Sequence, residues 1–171
     1  MHHRIVAKLM GFLAPTTALQ HFSEADRSVP ARYARAIALY RTGALGSALL
    51  TIDGLLKDYP NDPYFHEVRG QMLFENGHVR DAIAPYEQAV KLAPNQALLR
   101  MSLAQVYIET NDPALNKKAI ALLNNAAQAE GRDSTVWRFL AVAYGRDNQL
   151  GMAALSLAEK ALADGQKTEA V

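Results

Sequence analysis

Residues 36–60, AIALYRTGALGSALLTIDGLLKDYP, and residues 70–94, GQMLFENGHVRDAIAPYEQAVKLAP, are one pattern written twice. Ala36, Gly43, Ala48 and Pro60 recur as Gly70, Gly77, Ala82 and Pro94, each displaced by 34 residues. A third copy carries Ala104, Tyr107, Ala119 and Leu123, and a fourth carries Trp137, Leu140, Ala141, Tyr144, Ala153 and Leu157. That period is the mark of stacked helix–turn–helix units, each of which can bury its apolar face only against its neighbours. Such a stack turns its residues into a surface rather than a catalytic pocket.

The small residues set the geometry. Ala36, Gly70, Ala104 and Ala141 fall where the first helix of each pair must approach its neighbour closely, and Ala48, Ala82, Ala119 and Ala153 do the same for the second. Larger side chains there would hold apart helices that need to pack about 8–10 Å axis to axis. Leu39, Leu73, Tyr107 and Tyr144 fill the space between, opposite Ile52, Tyr86, Leu123 and Leu157, so the aromatics belong to a core. The spacing from Ala104 to Ala141 is 37, and the three extra residues are expected in the Asn111-Asp112-Pro113 turn. Pro85, inside a second helix, is expected to make a tolerated kink on the outer face.

Outward from the repeats, Ile5, Leu9, Phe12 and Leu13 share one helical face, so an amphipathic helix is expected over residues 2–13, ended by Ala14-Pro15. Lys8 interrupts the apolar run and no small-x-small cleavage site follows, so this stretch does not read as a secretion signal. The expected organisation is a linker helix and connector over 1–28, then a solenoid over 29–164. Its repeats are placed at about 29–62, 63–96, 97–133 and 134–164, with the truncated start of a further helix at 165–171. The fold class is all-α: a right-handed superhelical solenoid of about four helix–turn–helix repeats preceded by one extra helix. Helix 148–164 carries Met152, Leu155, Leu157 and Leu162, a generous apolar allotment for the end of a stack, so the chain is expected to be a piece of something longer.

Half of the 171 residues are apolar, a fifth are charged and the formal net charge is +1, which gives no electrostatic reason for nucleic-acid binding. No segment reaches the roughly 18 apolar residues of a membrane span, so direct membrane insertion is not expected. The chain has no cysteine, which excludes disulfides, thiolate chemistry and Cys-based zinc sites.

The Trp137-x2-Leu140-Ala141-x2-Tyr144 pattern, followed by Ala153 and Leu157, resembles the tetratricopeptide repeat (TPR) signature. A narrower resemblance rests on Val6-Ala7-Lys8-Leu9, on Ala31 to Ala36, on Asp62 to Glu67 and on Gly70 to Gly77. These look like the C-terminal TPR region of bacterial periplasmic zinc metallopeptidases that tend outer-membrane β-barrel assembly. The resemblance implies a missing upstream H-E-x-x-H protease domain that would hold the zinc, with residues 1–14 as its tail or linker. It also implies a periplasmic location.

The chain itself carries no such chemistry. His2, His3, His21, His66 and His78 include no pair one helical turn apart around a glutamate; His66-Glu67 is followed by Val68-Arg69-Gly70. No phosphate-binding loop or nucleophile elbow appears, so no catalytic residue, metal site or cofactor is expected here.

What remains is a groove lined by the first helix of each pair. Its inward faces are expected to present Tyr33, Ile37, Tyr40 and Arg41, then Tyr64, Glu67, Gln71, Phe74 and Glu75, then Met101, Gln105 and Ile108, then Arg138, Val142 and Arg146. Tyr, Phe, Met and Arg are types enriched at protein interfaces, although Ile37 and Ile108 also suit packing between helices. The Lys, Arg and Asn that grip a terminal carboxylate in chaperone-binding repeats are missing from Tyr33, Ile37, Val68, Leu98 and Ser102. Unfolded or extended segments, outer-membrane assembly components or the protein's own protease domain are the expected partners. A homodimer through the uncapped last helix is a further expectation, and a free-standing scaffold unconnected to proteolysis is the alternative.

Overall fold

The structure, a computed structural model, describes residues 2–130 and 132–165. Its elements are α1 His2–Leu13, α2 Pro15–His21, α3 Val29–Arg41, α4 Leu45–Asp58, α5 Pro63–Glu75, α6 Val79–Leu92, α7 Ala97–Glu109, α8 Pro113–Glu130, α9 Ser134–Arg146 and α10 Leu150–Ala163. Among the described residues there is no strand. The further helix expected at 165–171 falls, from residue 166 onward, outside the described residues.

Three of the helices that open a pair begin where the sequence supplies a cap. Ser28 accepts from the Ala31 amide at the start of α3, Asp62 from Tyr64 at α5, and Asp133 from Thr135 at α9. Each side-chain oxygen satisfies a donor that the first turn leaves unpaired. Pro30, Pro63 and Pro113 stand in first turns, where a missing N–H costs nothing.

Between the paired helices lie turns of three residues, and one residue in each takes a positive φ: Gly43 at 87°, Gly77 at 83°, Asn111 at 56° and Asn148 at 61°. The Ala44 amide bonds back to the Leu39 carbonyl (2.8 Å), and that of Gln149 to Tyr144 (2.9 Å), closing the ends of α3 and α9. A Cβ built on Gly43 would meet nothing within 4 Å, so a substitution there tests conformation alone. Gly43→Ala is expected to destabilise by about 1–2 kcal/mol, whereas Asn148→Gly should be neutral or slightly stabilising. Urea unfolding of the two variants should show that contrast.

The chain divides into two compact units, Met1–Gly77 and His78–Val171. In the first, α1 and α2 pack on α3, α3 on α4, and α4 on α5. Its core gathers Tyr33, Ile37, Ile52, Leu55, Phe65, Val68 and Met72 around the close-contact residues Ala36 and Ala48. In the second, α6 packs on α7, α7 on α8, α8 on α9, and α9 on α10. Ala104 and Ala119 are fully buried there with Leu123, Val106 and Val136.

Besides Leu157, expected in the core opposite Tyr144 but 55% exposed, four local expectations are corrected. Residues 15–28 are not all connector: Pro15 at the N-terminus starts α2, which buries Ala18. The extra residues of the third repeat lie in α8, which has 18 residues where α4, α6 and α10 have 14. Ala126, Ala127 and Ala129 are strong helix formers, and they prolong the helix instead of enlarging the turn. Pro85 is buried and not on an outer face. The fourth concerns α1. Its Ile5, Leu9 and Leu13 are 56%, 53% and 80% exposed, while Ala7 and Gly11 are buried. At Gly11 the approach to α3 leaves no room for a side chain: a Cβ there would stand 2.9 Å from the Ala34 carbonyl oxygen and 3.0 Å from Ile37 Cβ.

Candidate protein-binding surface

In the first unit, the faces of α3 and α5 expected to line a groove are partly covered by the chain's own α1. Tyr33 and Ile37 are buried and belong to the core, Ile37 directly beneath Gly11. Arg4 pairs with Asp62 at 2.7 Å, and Lys8 with Glu67 at 3.3 Å. The Arg4 guanidinium also lies 4.5 Å from the centroid of the Phe65 ring, within cation–π range. Tyr33 ends in a hydroxyl that is buried without a hydrogen-bond partner. Burial, with the nearby Glu67 charge adding to it, pushes that hydroxyl far above its ordinary pKa, so it stays a neutral donor.

Beyond α1 the face opens. Tyr40 donates its hydroxyl to Glu75, and Gln71 Nε2 donates to the other oxygen of the same carboxylate at 2.7 Å. Partial burial raises the Glu75 pKa. Tyr64 and Arg41 are exposed and Phe74 is half-buried. This face therefore offers aromatic rims, an amide and a carboxylate held in fixed relation by hydrogen bonds.

In the second unit, Met101 and Ile108 are buried and likewise serve packing, while Gln105 is half-buried. Arg138 is exposed with its guanidinium 4.5 Å from the Phe139 ring centroid, and Val142 is 40% exposed. Arg146 is tied to the Ile108 carbonyl, which it reaches as a donor. Tyr33, Ile37, Met101 and Ile108 are thus corrected from open contact positions to supporting ones. Periodicity assigns Tyr33 and Ile37 to the right helix face, but it does not register what covers that face.

Sequence reasoning missed α1 as an occupant. Its signal was Arg4, Ala7, Lys8 and Gly11, two cations and two small residues at helical spacing opposite the large apolar ones. Also unanticipated is Asn116 on α8, buried, whose Nδ2 donates to the Ala143 carbonyl at 2.8 Å. Among the described residues no group of three His, Asp or Glu side chains could hold a metal, and no helix is long and apolar enough to cross a membrane.

Helix pairs with buried alanine contacts, tight left-handed turns and a partly open first-helix face define a TPR protein-interaction module. The sequence matches the family described as the cytochrome c-type biogenesis protein H TPR domain over residues 48–163, and the chain belongs to that family. It is 28% identical over 145 residues to the beta-barrel assembly-enhancing protease of Yersinia pestis, covering 82% of this chain and 28% of that protein's length. Among solved structures, MamA from Desulfovibrio magneticus RS-1 superposes with a TM-score of 0.80 at 19% identity, over 97% of this chain and 95% of that one. YrrB, described as a TPR protein with an unusual peptide-binding site, superposes at 0.57 and 16% identity, over 92% and 87% of the two chains. At these identities the structural likenesses show the fold alone.

Proposed function

We propose that this chain is the partner-recruiting or regulatory arm of a periplasmic zinc metallopeptidase that works in outer-membrane protein quality control. The observation that carries this reading is the hydrogen-bonded Tyr40–Glu75–Gln71 cluster with Phe74 and Tyr64 on the open part of the α3 and α5 faces. Partly exposed aromatics flanked by fixed polar groups suit the capture of an extended segment. The 145-residue similarity to the Yersinia pestis protease supports the proteolytic context. The zinc and the peptide-bond chemistry would belong to a separate domain, and capture near it would raise the local concentration of clients.

A second reading rests on the family match over residues 48–163: an arm serving cytochrome c-type biogenesis. A crosslinking pull-down from periplasmic extract separates the two, using this chain beside a Tyr40→Ala, Phe74→Ala double variant. Recovery of outer-membrane barrel proteins or their assembly machinery, lost at least tenfold in the variant, is the expected result. Recovery of only a metallopeptidase domain would make the arm a regulator in cis, and cytochrome-maturation proteins would favour the second reading. Equal recovery by both versions would sink the surface as the binding site.

A further inference from the structure

Helix α1 is an odd permanent element. It is 12 residues long, a length at which an isolated helix is marginal and depends on its packing. The residues it buries are Ala7 and Gly11, with Phe12 partly buried against the core, while Ile5, Leu9 and Leu13 stay exposed. Two polar contacts add to this seat: the Arg4–Asp62 and Lys8–Glu67 pairs reach across to α5. These ion pairs are partly exposed, and such pairs are weak and screened by salt.

The seat is also imperfect. A pocket of about 310 Å³ remains beside α1, bounded by Arg4, Ile5, Lys8, Tyr33 and Tyr64. Beneath α1 the Tyr33 hydroxyl is left without a partner although Tyr33 is almost wholly buried. A well-fitted core helix would give that hydroxyl a partner, because buried polar groups are paired.

From these observations we infer that α1 is a displaceable internal ligand, covering a site on α3 and α5 that takes a helix from a partner protein. The partner helix carries Arg or Lys at positions i and i+4 and Gly or Ala at i+3 and i+7, as α1 does with Arg4, Lys8, Ala7 and Gly11. The two cations meet Asp62 and Glu67, and the small residues permit contact with Ala34 and Ile37. This inference rests on the repeat surface being a protein-binding surface, and adds to it the helical form and charge pattern of the ligand.

Two measurements on the full chain test it. By hydrogen exchange, α1 amides should open separately, exchanging ~100-fold or more faster than those of α3, and faster still at high salt. Equal protection of α1 and α3 would overturn the inference. In the second, a labelled peptide of residues 2–13 is titrated into the unmodified chain and into Gly11→Leu, whose side chain collides with Ala34 and Ile37. The variant should bind the peptide at least tenfold more tightly, and adding Glu67→Lys should abolish that gain. Binding unchanged by either substitution would overturn the inference. If Gly11→Leu loses helical circular dichroism beyond α1, the exchange measurement on the unmodified chain decides. Clients captured equally well with α1 seated or displaced would leave the recruiting arm standing and remove α1 as its internal ligand.

Discussion

Replacing Phe65 by alanine is expected to lower the unfolding free energy by about 3–5 kcal/mol. Phe65 is 1% exposed and stands at the centre of the first unit's aromatic contacts. Its ring lies 5.1 Å from that of Tyr33 at 59° and 6.3 Å from that of Tyr59, with Arg4 above it. Ile37, Ile52, Leu55, Val68 and Met72 belong to the same core, so truncation removes the ring's transfer free energy and leaves a cavity among stiff neighbours. For a chain of this size the thermal midpoint should fall by roughly 6–20 °C. Hydrogen exchange should place the loss in α3 to α5. A midpoint change near zero would mean that Phe65 is not a core residue.

The isosteric change Asn116→Asp should be as severe at neutral pH, though it removes almost no volume. Asn116 Nδ2 donates to the buried Ala143 carbonyl, so a carboxylate there would set oxygen against oxygen at about the present 2.8 Å. The nearby charges give little relief. Arg146 shares its pocket with Asp112 and Asp147, and already donates to the Ile108 carbonyl. An uncompensated buried charge costs about 3–5 kcal/mol. Burial and the facing carbonyl both favour the protonated acid, which can donate to Ala143, so the folded-state pKa of the new carboxyl rises above its unfolded value of about 3.9. The variant's deficit should therefore be small below about pH 4 and grow as pH rises toward 7. Urea titrations across that range check it; a flat deficit would show that the carboxylate finds solvent or a cation.

Most of the fold could be read from the sequence because its information is local and repeated. Ala36, Ala48, Ala104 and Ala119 mark contacts that no larger side chain could occupy, and the structure buries all four completely. The same logic fails at α1. Hydrophobic periodicity weighs Ile5, Leu9 and Leu13 above Ala7 and Gly11, yet fit against the α3 backbone buries the two small residues and leaves those three exposed. Tyr33 and Ile37 inherit that error, since whether they line an open groove depends on a helix some thirty residues earlier. The ion pairs of Arg4 and Lys8 join residues 58 and 59 positions apart, and no short-range pattern reports such a pairing. In the second unit Met101 and Ile108 lie on helix α7, where both faces are apolar enough that periodicity cannot choose between them.

The length of α8 carries a consequence for how a chain of this design can vary. Its four residues beyond the 14 of α4, α6 and α10 turn the helix by ~400°, close to one full revolution, and advance it by ~6 Å. The chain therefore leaves α8 within ~40° of the direction it would have taken without them. Two added residues would instead rotate the exit by ~200° and send the following segment off the opposite side. Screw symmetry thus acts as a filter on insertions: whole turns pass almost unnoticed, and fractions of a turn do not.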